Sequence, residues 1–344
     1  MFKINKDDNS KKILVTGIKP SGDITLGNYL GVIKPLIEIL KQNSNLEIYL
    51  FIADLHAITI FQKPQILKEQ IIKIIKIYLA SGLNFKNVNL FVQSDIKEHP
   101  YLGYLMETNS YVGEMSRMNS YKQTKLMQTI KKNPIRTALF TYPALMSADI
   151  LLYDADYVLV GADQKQHLEL TQKIAKRFNH LYDNVFKIPT EIKFNYLGNK
   201  IKSLLEPTKK MSKSNNDLGC IYLLDDNSTI NKKIMRATTD SDNRIFYDIN
   251  QKPGISNLLI IYSILNNIKI KKLEDYFKKY SYQKFKQKVS KSVIKEIEKI
   301  QKKIDKINDQ QIKKILKKGT VKVQKQAYQK LLKVKKKLGL GYII

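Results

Sequence analysis

Short apolar runs separated by helix-length segments constrain this chain more than any other feature. Glu47-Ile-Tyr-Leu-Phe-Ile-Ala53 has the length and content of a strand buried on both faces. Ile13-Leu-Val-Thr16, Val88-Asn-Leu-Phe-Val92 and Asp156-Tyr-Val-Leu-Val160 read the same way. Between them, Tyr29–Lys41, Gln65–Ser81 and Gln166–Arg177 carry apolar residues at helical spacing. Buried strands alternating with helices predict an α/β fold whose parallel sheet is covered on both faces. Ligands of such sheets sit at the carboxyl ends of the strands. The turn at 17–28 is one such end, and Gly161-Ala-Asp163 is another.

Residues 100–150 interrupt the alternation. They are more polar, and Tyr101–Tyr121 and Asn133–Tyr153 read as helices of an insertion between two halves of a nucleotide-binding fold. From about Thr229 the strand signals stop. Val289, Val293, Ile297, Ile300, Ile304 and Ile307 recur at spacings of four or three, one face of a helix. Gly319 reads as the end of one helix and Lys322–Leu338 as another. The 344 residues suffice for about two domains. The division expected is a sheet domain over 1–214, with its helical insertion at about 100–150, and a helical domain over 215–344.

The net charge of +29 fits a polyanionic partner such as nucleic acid. It fits equally the Lys-, Ile- and Asn-rich composition left by an AT-rich coding bias, since Arg117, Arg136, Arg177, Arg236 and Arg244 are the only arginines. The lysine-rich face of the 289–307 helix likewise reads as a solvated surface or as an RNA contact. Cys220, the single cysteine, excludes an intrachain disulfide and any multi-cysteine metal site. No apolar run approaches the roughly 18 residues that cross a bilayer. A soluble cytoplasmic protein is therefore expected.

Two strings carry chemistry. Pro20-Ser-Gly-Asp-Ile-Thr-Leu-Gly-Asn-Tyr-Leu-Gly31 is a glycine-bearing turn between strand and helix, yet it matches neither GxGxxG nor GxxxxGK[ST]. A dehydrogenase of the GxGxxG type is thereby excluded. The ordered string Lys210-Met-Ser-Lys-Ser214 sets two lysines three apart among small serines, which suits neutralising a leaving pyrophosphate. Together, Thr25-Leu-Gly-Asn28 and Lys210–Ser214 resemble the HIGH and KMSKS signatures of class I aminoacyl-tRNA synthetases. Thr141-Tyr-Pro-Ala-Leu-Met-Ser-Ala-Asp-Ile-Leu-Leu-Tyr153 and Val160-Gly-Ala-Asp-Gln-Lys-Gln-His-Leu-Glu-Leu-Thr171 are similar to the bacterial tryptophanyl-tRNA synthetase family. So are Gly17–Gly22, Ala53–Thr59 and Lys252–Asn257, and the resemblance runs from about residue 13 to Gly339.

The resemblance implies a Rossmann-like nucleotide-binding domain followed by an all-α anticodon-binding domain that includes Arg236 and Thr238–Ser241. It implies ATP-dependent activation of L-tryptophan to the adenylate and transfer to the 3′ end of tRNA(Trp), with release of AMP and pyrophosphate. Mg²⁺ rides on the ATP, and no metal site of the protein's own is expected. Thr25, Asn28, Lys210 and Lys213 take the catalytic positions. Thr25 and Asn28 replace the motif's histidines, and Gly27 lets ATP approach the backbone.

ATP contacts are further implied for Lys19, Pro20, Ser21, Gly161, Ala162, Asp163, Ile201, Met211, Ser212 and Ser214. Lys122 or Lys125 is a further phosphate contact. An indole ring has one polar group, an N–H donor, so its slot needs one acceptor. By resemblance that is Asp149, with Tyr142, Met146, Ile150 and Val160 as walls and Gln164 at the substrate ammonium. His56 reads as a pocket residue or a structural one. Lys19, Val15 and Ala162 depart from the residues usual in the family, which leaves the shape of the pocket open. A homodimer is implied.

Two rivals remain at this point. A tyrosyl-tRNA synthetase shares the fold, both signatures and an aspartate acceptor. A catalytically inactive relative would be an RNA-binding module, though it would have no use for a pyrophosphate loop.

Overall fold

The structure is a computed structural model that describes residues 10–130, 134–161, 164–192, 197–211 and 218–341, the side chain of Asn199 excepted. Strands β1 (Lys12–Ile18), β2 (Leu46–Ile52), β3 (Val88–Val92), β4 (Tyr157–Val158) and β5 (Thr190–Glu191) form one sheet in the order β3-β2-β1-β4-β5. Every pairing is parallel. All of β2 is buried, as its unbroken apolar content requires when helices cover both faces. Side chains alternate between the faces. Leu14, Ile48, Leu50 and Leu90 enter one core, while Val15, Tyr49, Phe51 and Phe91 enter the other.

The chain leaves β1 through the glycine turn and enters a helical stretch, α1. It starts at Leu26–Asn28, passes a π turn at Tyr29–Ile33 and continues at Lys34–Gln42. The expected second helix is α2 (Pro64–Ala80). The stretch Tyr101–Tyr121, expected as one helix, is instead α3 (Glu98–Thr108), α4 (Val112–Ser116) and the start of α5 (Asn119–Ile130). Tertiary partners break it. Arg177 donates to the Asn109 carbonyl at 2.7 Å and to Glu114 at 2.7 Å, while the Glu114 carboxylate accepts from the Tyr111 N–H and restarts the helix.

Of Asn133–Tyr153, Asn133 lies outside the described residues, and α6 covers Ala138–Leu151. The fourth strand is shorter than Asp156–Val160. After Val158 the chain turns over the sheet end, held by the Leu159 N–H on Val15 O and by Thr16 Oγ1 on Leu159 O. Helix α7 spans Lys165–Tyr182.

The remainder is helical: α8 (Asn227–Met235), α9 (Pro253–Asn266), α10 (Ile270–Phe277), α11 (Tyr282–Ile304) and α12 (Asp309–Lys337). Val289, Val293, Ile297 and Ile300 are buried on α11, each stabilising the fold by roughly 1.5–3 kcal/mol. Ile307 packs on the same core from beyond the helix end. Gly319 does not end a helix. It lies inside α12 where that helix crosses β3, and a Cβ there would stand 2.1 Å from the Leu90 carbonyl oxygen. The expected break at 319 is therefore a close approach of backbones, which needs a glycine for its size. Beyond it, Val323, Ala327, Leu331 and Val334 share a core with Tyr49, Phe51 and Phe91.

Candidate active site

The carboxyl ends of β1, β2 and β4 surround a cavity of about 370 Å³. β1 supplies Val15, Thr16 and Gly17 and leads to Lys19. The turn after β2 supplies His56, and α6 supplies Tyr142, Met146, Asp149 and Ile150. Val160 and Gln164 close the wall after β4. Every side chain assigned to the amino acid from the sequence thus meets in one place.

Asp149 is fully buried, and its carboxylate is already engaged. Oδ1 accepts from Gln93 Nε2 at 2.7 Å and lies 2.6 Å from His99 Nδ1. Oδ2 lies 2.7 Å from His56 Nε2. His99 Nε2 meets the Tyr153 hydroxyl at 2.7 Å. With Nδ1–H donating to the carboxylate, Nε2 accepts from that hydroxyl, so one tautomer satisfies both ends. Burial alone would raise the Asp149 pKa. The hydrogen bonds of His56 and His99, joined by the charge each carries in its imidazolium form, outweigh it and hold the carboxyl at about 2. Burial, reinforced by the neighbouring Asp149 charge, keeps the Tyr153 hydroxyl protonated.

The walls are fixed in turn. The Tyr142 hydroxyl donates to Ser120 Oγ at 2.6 Å and lies 2.8 Å from His167 Nε2. Its ring stands edge-on to His56. Burial lowers the pKa of Lys19, and among the described residues no carboxylate pairs with its amine. Thr124 of α5 lines the cavity, whereas its neighbours Lys122 and Lys125 are exposed and do not.

A second cluster lies beyond Lys19, past buried Pro20 and half-buried Ser21. Thr25, fully buried, caps α1 reciprocally with Asn28: Thr25 Oγ1 accepts from the Asn28 N–H, and Asn28 Oδ1 accepts from the Thr25 N–H. The turn pairs with the segment that follows the lysine loop, Leu26 N–H donating to Ile221 O and Leu223 N–H to Ile24 O. Gly27 faces Met211, whose Cβ would lie 3.3 Å from a Cβ at that position. The Met211 N–H donates to the carbonyl of buried Ile201, and Lys210 is exposed beside it. Thr25, Gly27, Ile201 and Met211 are thus brought together from distant parts of the chain. Ala162, Asp163, Ser212, Lys213 and Ser214 lie outside the described residues.

Gln93, His99 and Tyr153 were not anticipated. Gln93 directly follows β3, so the carboxyl-end rule that located the other residues applies to it as well. His99 carried no local signal beyond being one of four histidines. Among the described residues no group of three His, Cys, Asp or Glu is placed to hold a metal ion. No described helix is long and apolar enough to cross a membrane.

The chain is similar along nearly all of its length to known proteins. The tryptophan–tRNA ligase of Caldanaerobacter subterraneus subsp. tengcongensis is 41% identical over 330 residues, covering 96% of this chain and 98% of the relative. The crystal structure of tryptophanyl-tRNA synthetase from Mycoplasma pneumoniae superposes with a TM-score of 0.88 at 39% identity, covering 96% of this chain and 98% of that one. The Campylobacter jejuni tryptophanyl-tRNA synthetase, solved with ADP and tryptophan, gives a TM-score of 0.78 at 28% identity over 95% and 100% of the two chains. The sequence family described as tRNA synthetases class I (W and Y) matches residues 6–298. With that match spanning most of the chain, and with relatives aligned along nearly all of it, the chain belongs to the class I tRNA synthetases of the W and Y family.

Proposed function

We propose that the protein is a tryptophan–tRNA ligase: it activates L-tryptophan with ATP and transfers it to the 3′ end of tRNA(Trp). The observation that carries the reading is the state of Asp149. A carboxylate offers about four acceptor sites, and three are taken, two on Oδ1 and one on Oδ2. The acceptor left belongs to Oδ2, beside an apolar slot walled by Met146, Ile150 and Val160. That arrangement suits a flat apolar ring with a single N–H donor. A ligand lacking the donor forgoes a hydrogen bond to a buried charge, a loss that separates close analogues.

Gln164 meets the ammonium in this reading. Lys19 lies between the slot and the glycine turn, where carboxylate and phosphate come together. The carboxylate oxygen of tryptophan attacks the α-phosphorus of ATP, a new O–P bond forms, and the bond from that phosphorus to the pyrophosphate oxygen breaks. Lys210 and Lys213 neutralise charge gathering on the pyrophosphate, and no protein nucleophile is needed. Asn28, with its side-chain oxygen engaged in the cap, presents its NH₂ group to the nucleotide, together with the start of α1. Pro20, Ser21, Ala162, Asp163, Ile201, Met211, Ser212 and Ser214 shape the rest of the ATP site. Mg²⁺ enters with ATP as part of the substrate. A terminal hydroxyl of the tRNA then attacks the carbonyl carbon of the adenylate, and AMP leaves.

Residues 1–214 form the catalytic part in this reading and 215–344 the tRNA-binding part. A basic cavity at the start of α11 and the turn before it, lined by Lys279, Lys284, Lys288 and Lys291 with Tyr280 and Gln287, supports the latter, since lysines hold phosphates and a tyrosine ring stacks on an unpaired base. Exposed Tyr104 and Val112 on the insertion support a homodimer that covers them. The single cysteine and the composition support a cytoplasmic location.

ATP–pyrophosphate exchange with each of the twenty amino acids tests the reading. Exchange dependent on tryptophan is expected. Exchange dependent on tyrosine instead would overturn the specificity, and no exchange with any amino acid would leave an RNA-binding module.

A further inference from the structure

Helix α11 belongs to the helical half, yet it grips the glycine turn from two sides. The Tyr29 hydroxyl, on a side chain only 3% exposed, donates to Glu296 Oε1 at 2.6 Å. Tyr29 follows Asn28 directly and opens the π turn of α1. On the other side, Gln301 Nε2 donates to the carbonyls of Leu223 at 3.0 Å and Asp225 at 2.9 Å. Leu223 pairs in turn with Ile24. Glu296 and Gln301 are separated by about 7.5 Å of rise along one helix. One rigid element therefore holds the helical start that carries Gly27 and Asn28 and the segment that pairs with Ile24–Leu26.

Apolar packing already holds α11 against α2, α8 and α9, with Val289, Val293 and Ile297 in the shared core. Packing leaves sliding and rotation comparatively free. A carboxylate and an amide at two separated points add direction, because hydrogen bonds weaken steeply when misaligned. The π turn adds a reason for a brace at this place, since such turns are rare and interrupt the regular helical ladder.

We propose that Glu296 and Gln301 are positioning residues for the ATP-side turn, so that adenylate formation depends on a helix of the other half of the chain. Glu296 acts through Tyr29 on Asn28, and Gln301 acts through Leu223 on the strand paired with Ile24–Leu26. Neither touches the substrate. The inference rests on the ligase reading above.

The test is pyrophosphate exchange with the full chain, resolving KM for ATP, KM for tryptophan and kcat, alongside thermal unfolding. Glu296→Ala and Tyr29→Phe are each expected to reduce kcat/KM for ATP by about tenfold, with tryptophan KM little changed, as for loss of one charge-assisted hydrogen bond. Combining them is expected to add little to the larger single loss, since both remove the Tyr29–Glu296 contact, and Glu296→Ala also removes the 3.7 Å ion pair with Lys34. Glu296→Gln, whose amide oxygen still accepts from Tyr29, is expected to restore most of the loss. Gln301→Ala, which removes two neutral hydrogen bonds, is expected to cost about fivefold. Glu298→Ala, which removes a contact of the same helix to Asn227 on α8, is expected to leave ATP kinetics unchanged.

A lowered Tm with parent-like ATP kinetics in Glu296→Ala and Tyr29→Phe would make α11 a structural brace only and overturn the proposal. Equal losses for ATP and tryptophan would overturn it too. Tyr29→Phe removes one oxygen from a buried ring, so it keeps the test open if Glu296→Ala fails to fold. Absence of exchange in the parent would overturn the ligase reading, and this inference with it.

Discussion

Asp149 and Thr25 are both fully buried at the candidate site, yet they are held in opposite ways. Asp149 is gripped by side chains: His56 from the turn after β2, Gln93 from the end of β3 and His99 from α3. Thr25 is held largely by main chain, through the cap on α1 and the pairing of its neighbours with Ile221 and Leu223. The first kind of construction selects a ligand group by its chemistry, because each bond has a donor and a direction. The second sets a shape, and in the proposed reading the charge is left to Lys210 and Lys213. Substitutions in the amino-acid pocket should therefore change which substrate binds and how tightly, and substitutions around the turn should change how fast it reacts.

The sharpest division comes from Lys213→Ala. Turnover in adenylate formation is expected to fall by about 10²–10³-fold, the usual cost of removing one group that stabilises transition-state charge, with tryptophan affinity unchanged. Equal exchange rates for variant and parent would break the comparison at its phosphate end.

Next comes Asp149→Asn, expected to weaken tryptophan binding by about 100-fold while ATP affinity holds, since it uncouples a buried charge from its partners. The chain contains no tryptophan, so indole fluorescence reports the ligand alone and gives this affinity directly. The same variant has a pH signature. The Asp149 carboxyl ionises at about 2 in the folded chain, below the ~3.9 of an unfolded aspartate. The unfolded state therefore takes up the proton first. The contribution of Asp149 to stability is present above about pH 4 and is lost as pH falls through about 2, an effect of about 2 kcal/mol. Urea unfolding of parent and variant across that range should show the gap between them closing towards the acid end. A gap independent of pH would mean that the histidines do not hold the carboxylate.

The smallest effect probes the frame behind both ends. Gly319→Ala places a methyl group against the Leu90 carbonyl, where α12 crosses β3. A loss of about 1–3 kcal/mol in stability is expected, as for overpacking, with pyrophosphate exchange near that of the parent. Parent-like stability would show that the helix can ride away from the sheet at no cost.

The same contrast governs what could be read in advance. β1, β2, β3, α2 and α7 were legible because apolar spacing records local geometry, and the cavity followed because ligands gather at strand ends. The two signatures were legible as strings, since their spacing along the chain is itself the signal. Tyr101–Tyr121 failed as one helix because Arg177, far along the chain, ties down the Asn109 carbonyl and Glu114. Gly319 failed as a helix end because a glycine demanded by a neighbouring backbone looks like one demanded by a left-handed cap. The grip of α11 on the glycine turn had no local trace at all, being a contact between Tyr29 and Glu296.

By itself, then, the sequence determined the alternation that makes a parallel sheet, the strand-end turn that follows β1, and the aspartate that lines the cavity. Only the tertiary structure decided what surrounds that aspartate and what steadies that turn. The reason is physical. Periodicity and propensity are properties of neighbours along the chain, whereas His56, Gln93, His99 and Asp149 meet only once parallel strands have brought their carboxyl ends to one edge.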